Sequence, residues 1–309
     1  MSKKKKIIMF LGLLTMIVVL AACGGTETEQ QLREMVDREG YAITVPTEIN
    51  TIVTIGPSTT EMIIGLGLAD KIISADRFSA DVEGLPAGVV ADFGIMDLDA
   101  EYLVNLMPDV IFITGMARGG GTDDPIAPVS AAGITVIYMP NSINVAGIID
   151  DIRFVADVMN AIDAGERIIS TMQAEIDAIA AIAANITTTR TVYFEISPAP
   201  WMFSFGTGTF LNEMLELLGA TNIFADQDGW LGVADEILLA LNPDVILTST
   251  DFLPDPIGEI LDRPGFDVIT AVQNGDVFVI DTASSSRPTH NITKALRQMA
   301  EAIFPEYFG

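Results

Sequence analysis

The chain is poor in cysteine, histidine and cationic side chains. It has one cysteine and one histidine in 309 residues. A single cysteine excludes a disulfide framework within the chain. A single histidine argues strongly against a zinc centre, which needs several imidazole or thiolate ligands, and less strongly against manganese. Sixteen Lys and Arg face 42 Asp and Glu, for a net charge of −26. Such a surface repels phosphate, so nucleic acid is not an expected partner, and the charge favours solubility. No serine sits in a Gly-x-Ser-x-Gly turn: "GPST" (56–59) and "FSFG" (203–206) both lack that frame. The glycine-rich "GMARGGGTDD" (115–124) lacks the Lys-Ser/Thr of a phosphate-binding loop and reads as a mobile loop.

The chain opens "MSKKKKIIMFLGLLTMIVVLAACGG". Four lysines precede an apolar run from Ile7 to Ala22, which is shorter than the ~18–20 residues a membrane-spanning helix needs. This is the layout of a secretory signal peptide, residues 1–22. Leu20-Ala21-Ala22-Cys23 resembles the bacterial lipoprotein box, which implies that Cys23 is lipidated and becomes the mature N-terminus. Ordinary secretion with an incidental thiol is the alternative. Cleavage there removes four lysines and no acids, so the mature chain is still more acidic. Residues 23–40 read as the lipidated N-terminus and a flexible polar tether.

From Tyr41 the pattern changes. Short β-rich runs at 51–55, 71–75, 109–114 and 134–139 alternate with helical stretches near 59–67, 99–107 and 125–132. A second alternating set has strands at 191–196, 244–249 and 276–281, with helices near 208–218, 233–241 and 290–303. Alternation of this kind predicts an α/β fold with mostly parallel sheets. The two sets predict an N-terminal lobe (41–143) and a C-terminal lobe (188–309). Between them, residues 144–187 carry apolar residues at helical spacing, long enough to cross from one lobe to the other, with a break open near Asn160–Gly165.

One string occurs twice. "EYLVNLMPDVIF" (101–112) and "EILLALNPDVIL" (236–247) share seven of twelve positions, including the opening Glu and the Pro-Asp-Val-Ile run. Each reads as a helix closed by proline and followed by a buried strand. Glu101 and Glu236 each start their helix, where the helix dipole favours a carboxylate by ~0.3–1 kcal/mol. Pro-Asp before a buried strand is also a common αβ connection, so the repeat by itself is compatible with architecture alone.

These features together resemble the solute-binding proteins of bacterial ABC importers for iron chelates and vitamin B12. "INTIVTIGPSTTEMIIGLGLADKIISA", "LDAEYLVNLMPDVIF", "FSFGTGTFLNEMLELLGATNIF", "VADEILLALNPDVIL" and "RPTHNITKALRQMAEAIFPE" carry the resemblance, in order, from about Ile43 to Phe308. It implies two Rossmann-like αβ lobes bridged by a long helix, the class III periplasmic-binding-protein architecture. It also implies a non-enzymatic, monomeric, lipid-anchored protein outside the cytoplasm that serves an ABC permease and its ATPase. No cofactor is implied, the metal chelate being cargo: a ferric siderophore, haem or cobalamin. By position, Glu101 and Glu236 match the acids that dock into arginine pockets of the permease.

In that architecture the loops after the strands face a shared cleft. The candidate lining residues are Ser58, Arg77, Phe78, Met116 and Arg118 from the first lobe. From the second come Trp201, Phe203, Phe205, Trp230, Arg287 and His290, with Phe252 nearby. Aromatics beside glycines in 197–210 suit a large flat ligand, and Arg77, Arg118 and Arg287 would suit an anionic one. Each aromatic is about as readily a core residue. No protein side chain is assigned as a metal ligand, although haem ligation by His290 with Met116 opposite stays open. The competing classes are a lipid-anchored hydrolase and a ligand-sensing lipoprotein without transport.

Overall fold

A computed structural model describes residues 31–118 and 124–309. The expected leader, Cys23, the expected tether up to residue 30, and residues 119–123 of the glycine-rich loop lie outside the described residues.

The first lobe runs β1 (Leu32–Val36), β2 (Ala42–Pro46), β3 (Ile52–Ile55), α1 (Pro57–Gly65), β4 (Ile72–Ala75), α2 (Ala100–Leu106), β5 (Val110–Thr114), α3 (Ala127–Ala131) and β6 (Thr135–Met139). Two helices follow, α4 (Val145–Val158) and α5 (Ile162–Ala183). The second lobe begins with β7 (Thr191–Glu195), β8 (Phe203–Phe205), α6 (Phe210–Leu217), β9 (Thr221–Asn222), β10 (Trp230–Gly232) and α7 (Asp235–Leu241). It continues with β11 (Val245–Thr248), α8 (Pro256–Leu261), α9 (Thr270–Asn274), β12 (Val277–Val279), α10 (Thr282–Ser286), α11 (Ile292–Ile303) and α12 (Pro305–Phe308).

Each lobe is built on a four-stranded parallel sheet. The orders are β4-β3-β5-β6 and β9-β7-β11-β12. Numbered within its own lobe, each sheet reads second-first-third-fourth, so the two lobes share one topology. β3 and β11 are buried along their whole length, as expected of strands covered by helices on both faces.

The repeated string occupies equivalent places, α2–β5 and α7–β11. In both copies the residue before the proline, Met107 or Asn242, takes a left-handed conformation that ends the helix. The aspartate that follows then fixes the strand start. Asp109 Oδ2 accepts from the Asn50 and Thr51 amides at 2.7 and 3.0 Å. Asp244 Oδ2 accepts from the Thr191 amide and hydroxyl at 2.8 and 2.7 Å. The Pro-Asp part of the string is therefore structural: it pins the third strand of each sheet to the first.

The linking segment is two packed helices rather than one rod. Asn160 adopts φ 54°, and the Ala161 amide bonds back to Ala156 O at 2.7 Å. The two helices then cross closely at Gly165, where a Cβ would come within 2.6 Å of Ala156 Cβ. One continuous apolar core runs from Ile52 and Phe112 through Ile152 and Ile176 to Leu215 and Met299. The Val145 amide at the start of α4 also donates to Glu213 of α6 at 2.7 Å. The lobes are thus joined by packing, not by a bare hinge.

The tether expected to reach residue 40 ends earlier. β1 pairs antiparallel with β2. Arg33 pairs with Asp157 at 3.0 Å and Arg38 with Asp151 at 2.6 Å, which fasten the hairpin to α4. Those partners are distant in sequence, which is why a polar local stretch becomes a strand. Among the described residues no helix is long and apolar enough to cross a membrane.

Candidate ligand cleft

In parallel αβ sheets, ligands bind outside the carboxyl ends of the strands. In the first lobe those ends carry Gly56-Pro57-Ser58 after β3, Asp76-Arg77-Phe78 after β4, Thr114 to Arg118 at the end of β5, and Pro140-Asn141 after β6. A cavity of about 330 Å³ lies there, lined by Ser58, Phe78, Met116 and other first-lobe residues, and closed by Ser286, Arg287 and Pro288 from the second lobe. The first lobe's strand ends therefore face the turn between α10 and α11 of the second lobe. Thr114, Pro140 and Asn141 also line the cavity. They were not among the sequence candidates, although their place after β5 and β6 marks them by the same strand-end rule.

Of the expected residues, Ser58, Phe78, Met116 and Arg287 line this cavity. Phe78 and Met116 are more than half exposed, an unusual state for apolar side chains in a recess. Arg77 and Arg118 flank it, but neither is free. Arg77 pairs with Asp97 at 2.5 Å, and Arg118 pairs with Glu39 at 2.5 Å while stacking 3.9 Å from the centre of the Tyr138 ring. Arg287 is buried. It bonds Glu61 of α1 at 2.8 Å and both oxygens of Asp81 at 2.6 and 2.8 Å. Burial disfavours the Arg287 charge, but Glu61 and Asp81 more than compensate and hold its pKa above the usual value. Glu61 also accepts from Thr289 at 2.8 Å and Asn291 at 3.0 Å. The expectation of three anion-seeking arginines is thus corrected: each already has its carboxylate.

The second lobe corrects the aromatic list. Phe205 is fully buried, 5.5 Å from the Phe194 ring and 6.2 Å from Trp230, and belongs to the core. Trp201 is 83% exposed on the loop after β7, and Phe252 is 69% exposed on the loop after β11. Phe203 and Trp230, on the β8–β10 ribbon, are partly exposed. None of these five lines the 330 Å³ cavity. Beneath these loops Arg263 makes a buried, bidentate pair with Glu195 at the end of β7, at 2.6 and 2.8 Å. That pair anchors the second lobe's strand ends.

His290 and Met116 are not brought together. His290 lines grooves bordered by Glu61 and Gly65 on another face of α1 and by α5. Its ring presses on Gly65, where a Cβ would lie 2.7 Å from Cε1, and its buried Nδ1 has no partner. Burial pushes its pKa down, with Glu61 opposing. The unfolded chain then takes up the proton first as pH falls below ~6.5, so this residue's contribution to stability is present above that pH and is lost on acidification. Urea midpoints measured at pH 7.5 and 5.5 should fall further for the wild type than for His290→Gln. Equal falls would remove His290 from the account.

Chain comparison agrees with this geometry. The family model described as "Periplasmic binding protein" matches residues 52–283. The chain belongs to that family of substrate-binding proteins. It is 27% identical, over 99% of both chains, to an ABC transporter substrate-binding lipoprotein of Bacillus subtilis that is itself uncharacterised. A cobalamin-binding protein of Halobacterium salinarum is 24% identical over 86% of this chain and 73% of its own. Among solved structures, the molybdate-binding protein MolA of Haemophilus influenzae superposes with a TM-score of 0.76 at 21% identity. It covers 89% of this chain and 92% of that one, a likeness of fold.

Proposed function

We propose that this protein is the extracytoplasmic solute-binding component of an ABC importer. It would be held at the membrane through Cys23 and would capture cobalamin, a ferric siderophore or haem between its lobes for delivery to a permease and its ATPase. The observation that carries the reading is the cavity between the first sheet's carboxyl ends and the α10–α11 turn of a second lobe of like topology, the lobes being locked by one shared core. Its lining of hydroxyls, a carboxamide, Phe78 and Met116 suits recognition without chemistry. The sole histidine lines other grooves, and among the described residues no serine hydroxyl is hydrogen-bonded to it, which disfavours the hydrolase alternative. The cobalamin-binding relative supports the corrinoid among the three ligands.

The exposed Trp201 and Phe252, on second-lobe loops that follow strands, would add apolar contacts from outside the cavity, since large exposed aromatics mark a binding surface. Cyanocobalamin, a ferric hydroxamate or haemin should quench tryptophan fluorescence saturably, the signal coming from Trp201 and Trp230, the only two in the chain. Trp201→Ala should weaken the tightest ligand by ~1–3 kcal/mol if the ring packs on it as an anchor. Lack of saturable binding by all three compounds would remove the importer reading.

A further inference from the structure

We infer that the cleft selects a ligand with no net negative charge: a neutral or cationic metal chelate or corrinoid whose periphery carries amides rather than carboxylates. This rests on the importer reading and narrows its ligand. An anion seat needs a cation or a dipole that the protein has not already used. The cleft has four such features: the three cations are each paired internally, and the fourth already faces a buried carboxylate.

Arg287, the only cation lining the cavity among the described residues, is shared between Glu61 and Asp81. Arg77 lies between Asp97 and Asp92, at 2.5 and 4.0 Å. Arg118 is occupied by Glu39. Around these three guanidinium groups stand five carboxylates, so the field of the recess is negative. The fourth feature is the amino end of α1, which opens on the cavity and is the natural place for an anion. There the buried Asp76 sits against the residue that precedes the helix, and its carboxylate opposes a second anion at that end. Its Oδ2 accepts from the Gly56 amide at 2.7 Å and from Ser79 Oγ at 2.9 Å, while its Oδ1 accepts from the Phe78 amide at 2.9 Å.

The remaining lining points the same way. Of the sixteen residues around the cavity, only Asp151 and Arg287 are charged. Asp151 is held by Arg38 and Ser142. What is left for recognition is the hydroxyls of Ser58, Thr59, Thr114 and Ser286 and the Asn141 carboxamide, groups that both donate and accept. Such groups match amides and hydroxamates. A carboxylate placed there would meet no unspent cation, and taking Arg287 from Glu61 would leave that buried carboxylate without its counter-charge.

The test ranks ligands by charge. The purified protein is titrated with cyanocobalamin and a cationic ferric trihydroxamate, then with haemin and molybdate, at low and moderate salt. The neutral and cationic compounds should bind at least about tenfold more tightly than either anion, the gap being widest at low salt where repulsion is least screened. A triple variant, Glu39→Gln, Asp81→Asn and Asp97→Asn, frees positive charge at exposed or rim positions. It should raise affinity for haemin by about tenfold while leaving cyanocobalamin nearly unchanged. If an anion binds as tightly as the neutral probes, or the triple variant does not favour haemin, the charge rule is wrong while the importer reading stands. If no probe binds, both fall.

Discussion

Glu61→Ala should destabilise the protein by about 3 kcal/mol, the low end of the cost of breaking a buried ion pair. The carboxylate sits on α1 in the first lobe and is 7% exposed. Three second-lobe side chains converge on it: Arg287, Thr289 and Asn291. Removing it leaves the buried Thr289 hydroxyl without its acceptor, releases the exposed Asn291 carboxamide, and reduces Arg287 to a single, largely exposed partner, Asp81. That surviving partner keeps the loss from the upper end of the range. Asp81→Ala, by contrast, removes a mostly solvated carboxylate and should cost no more than about 1 kcal/mol. The Glu61 variant should lose roughly 6–10 °C in Tm, since a kcal/mol shifts a domain of this size by a few degrees. Thermal and urea unfolding of the two variants side by side decide the matter. Similar small losses would mean that the lobes are held by the apolar core around α4 and α5 alone.

That junction also shows what a sequence hides. The strands at 52–55, 72–75, 110–114, 135–139, 191–195, 245–248 and 277–279 were readable because each is a continuous β-rich run bounded by turn residues, and the major helices were readable from their spacing. β1 was not. Its alternating Leu-Arg-Glu-Met-Val looks like solvent-exposed linker until Arg33 finds Asp157, 124 residues away. The same limit applies to the cleft. Ser58, Phe78, Met116 and Arg287 were found because loops after parallel strands must face a ligand site. The occupation of the arginines was not legible, because Arg287 meets Glu61 across 226 residues and Arg118 meets Glu39 across 79. Phe205 misled for a related reason. It lies two residues from the partly exposed Phe203 on the same face of a short ribbon, yet only Phe205 reaches the interior against Phe194.

The repeated string leads to the expected result with the largest functional effect. Its Pro-Asp half is accounted for by strand pinning, but its opening glutamates are not. Glu101 and Glu236 are exposed in the first turns of α2 and α7, and neither has a partner among the described residues. Helix capping does not explain both. Asp99 caps α2 by accepting from the Tyr102 amide, and α7 has no side-chain cap at all. The two helices occupy equivalent places in lobes of one topology, so one carboxylate stands at the same position on each lobe. Because the shared core and the Glu61 junction hold the lobes together, the two charges keep a fixed separation. That suits docking onto a pair of cationic sites on a membrane partner, where charge sets orientation and encounter rate. Glu101→Ala and Glu236→Ala should each stay within about 0.5 kcal/mol of wild-type stability, as exposed substitutions do, and should bind ligand normally. Uptake, or ligand-stimulated ATP hydrolysis with the cognate permease in proteoliposomes, should fall for each single variant and collapse for the pair. Glu→Lys at either site should be worse than Ala, since it would set like charges face to face. Full transport by the double alanine variant, with ligand affinity intact, would leave the glutamates as ornaments of an αβ repeat.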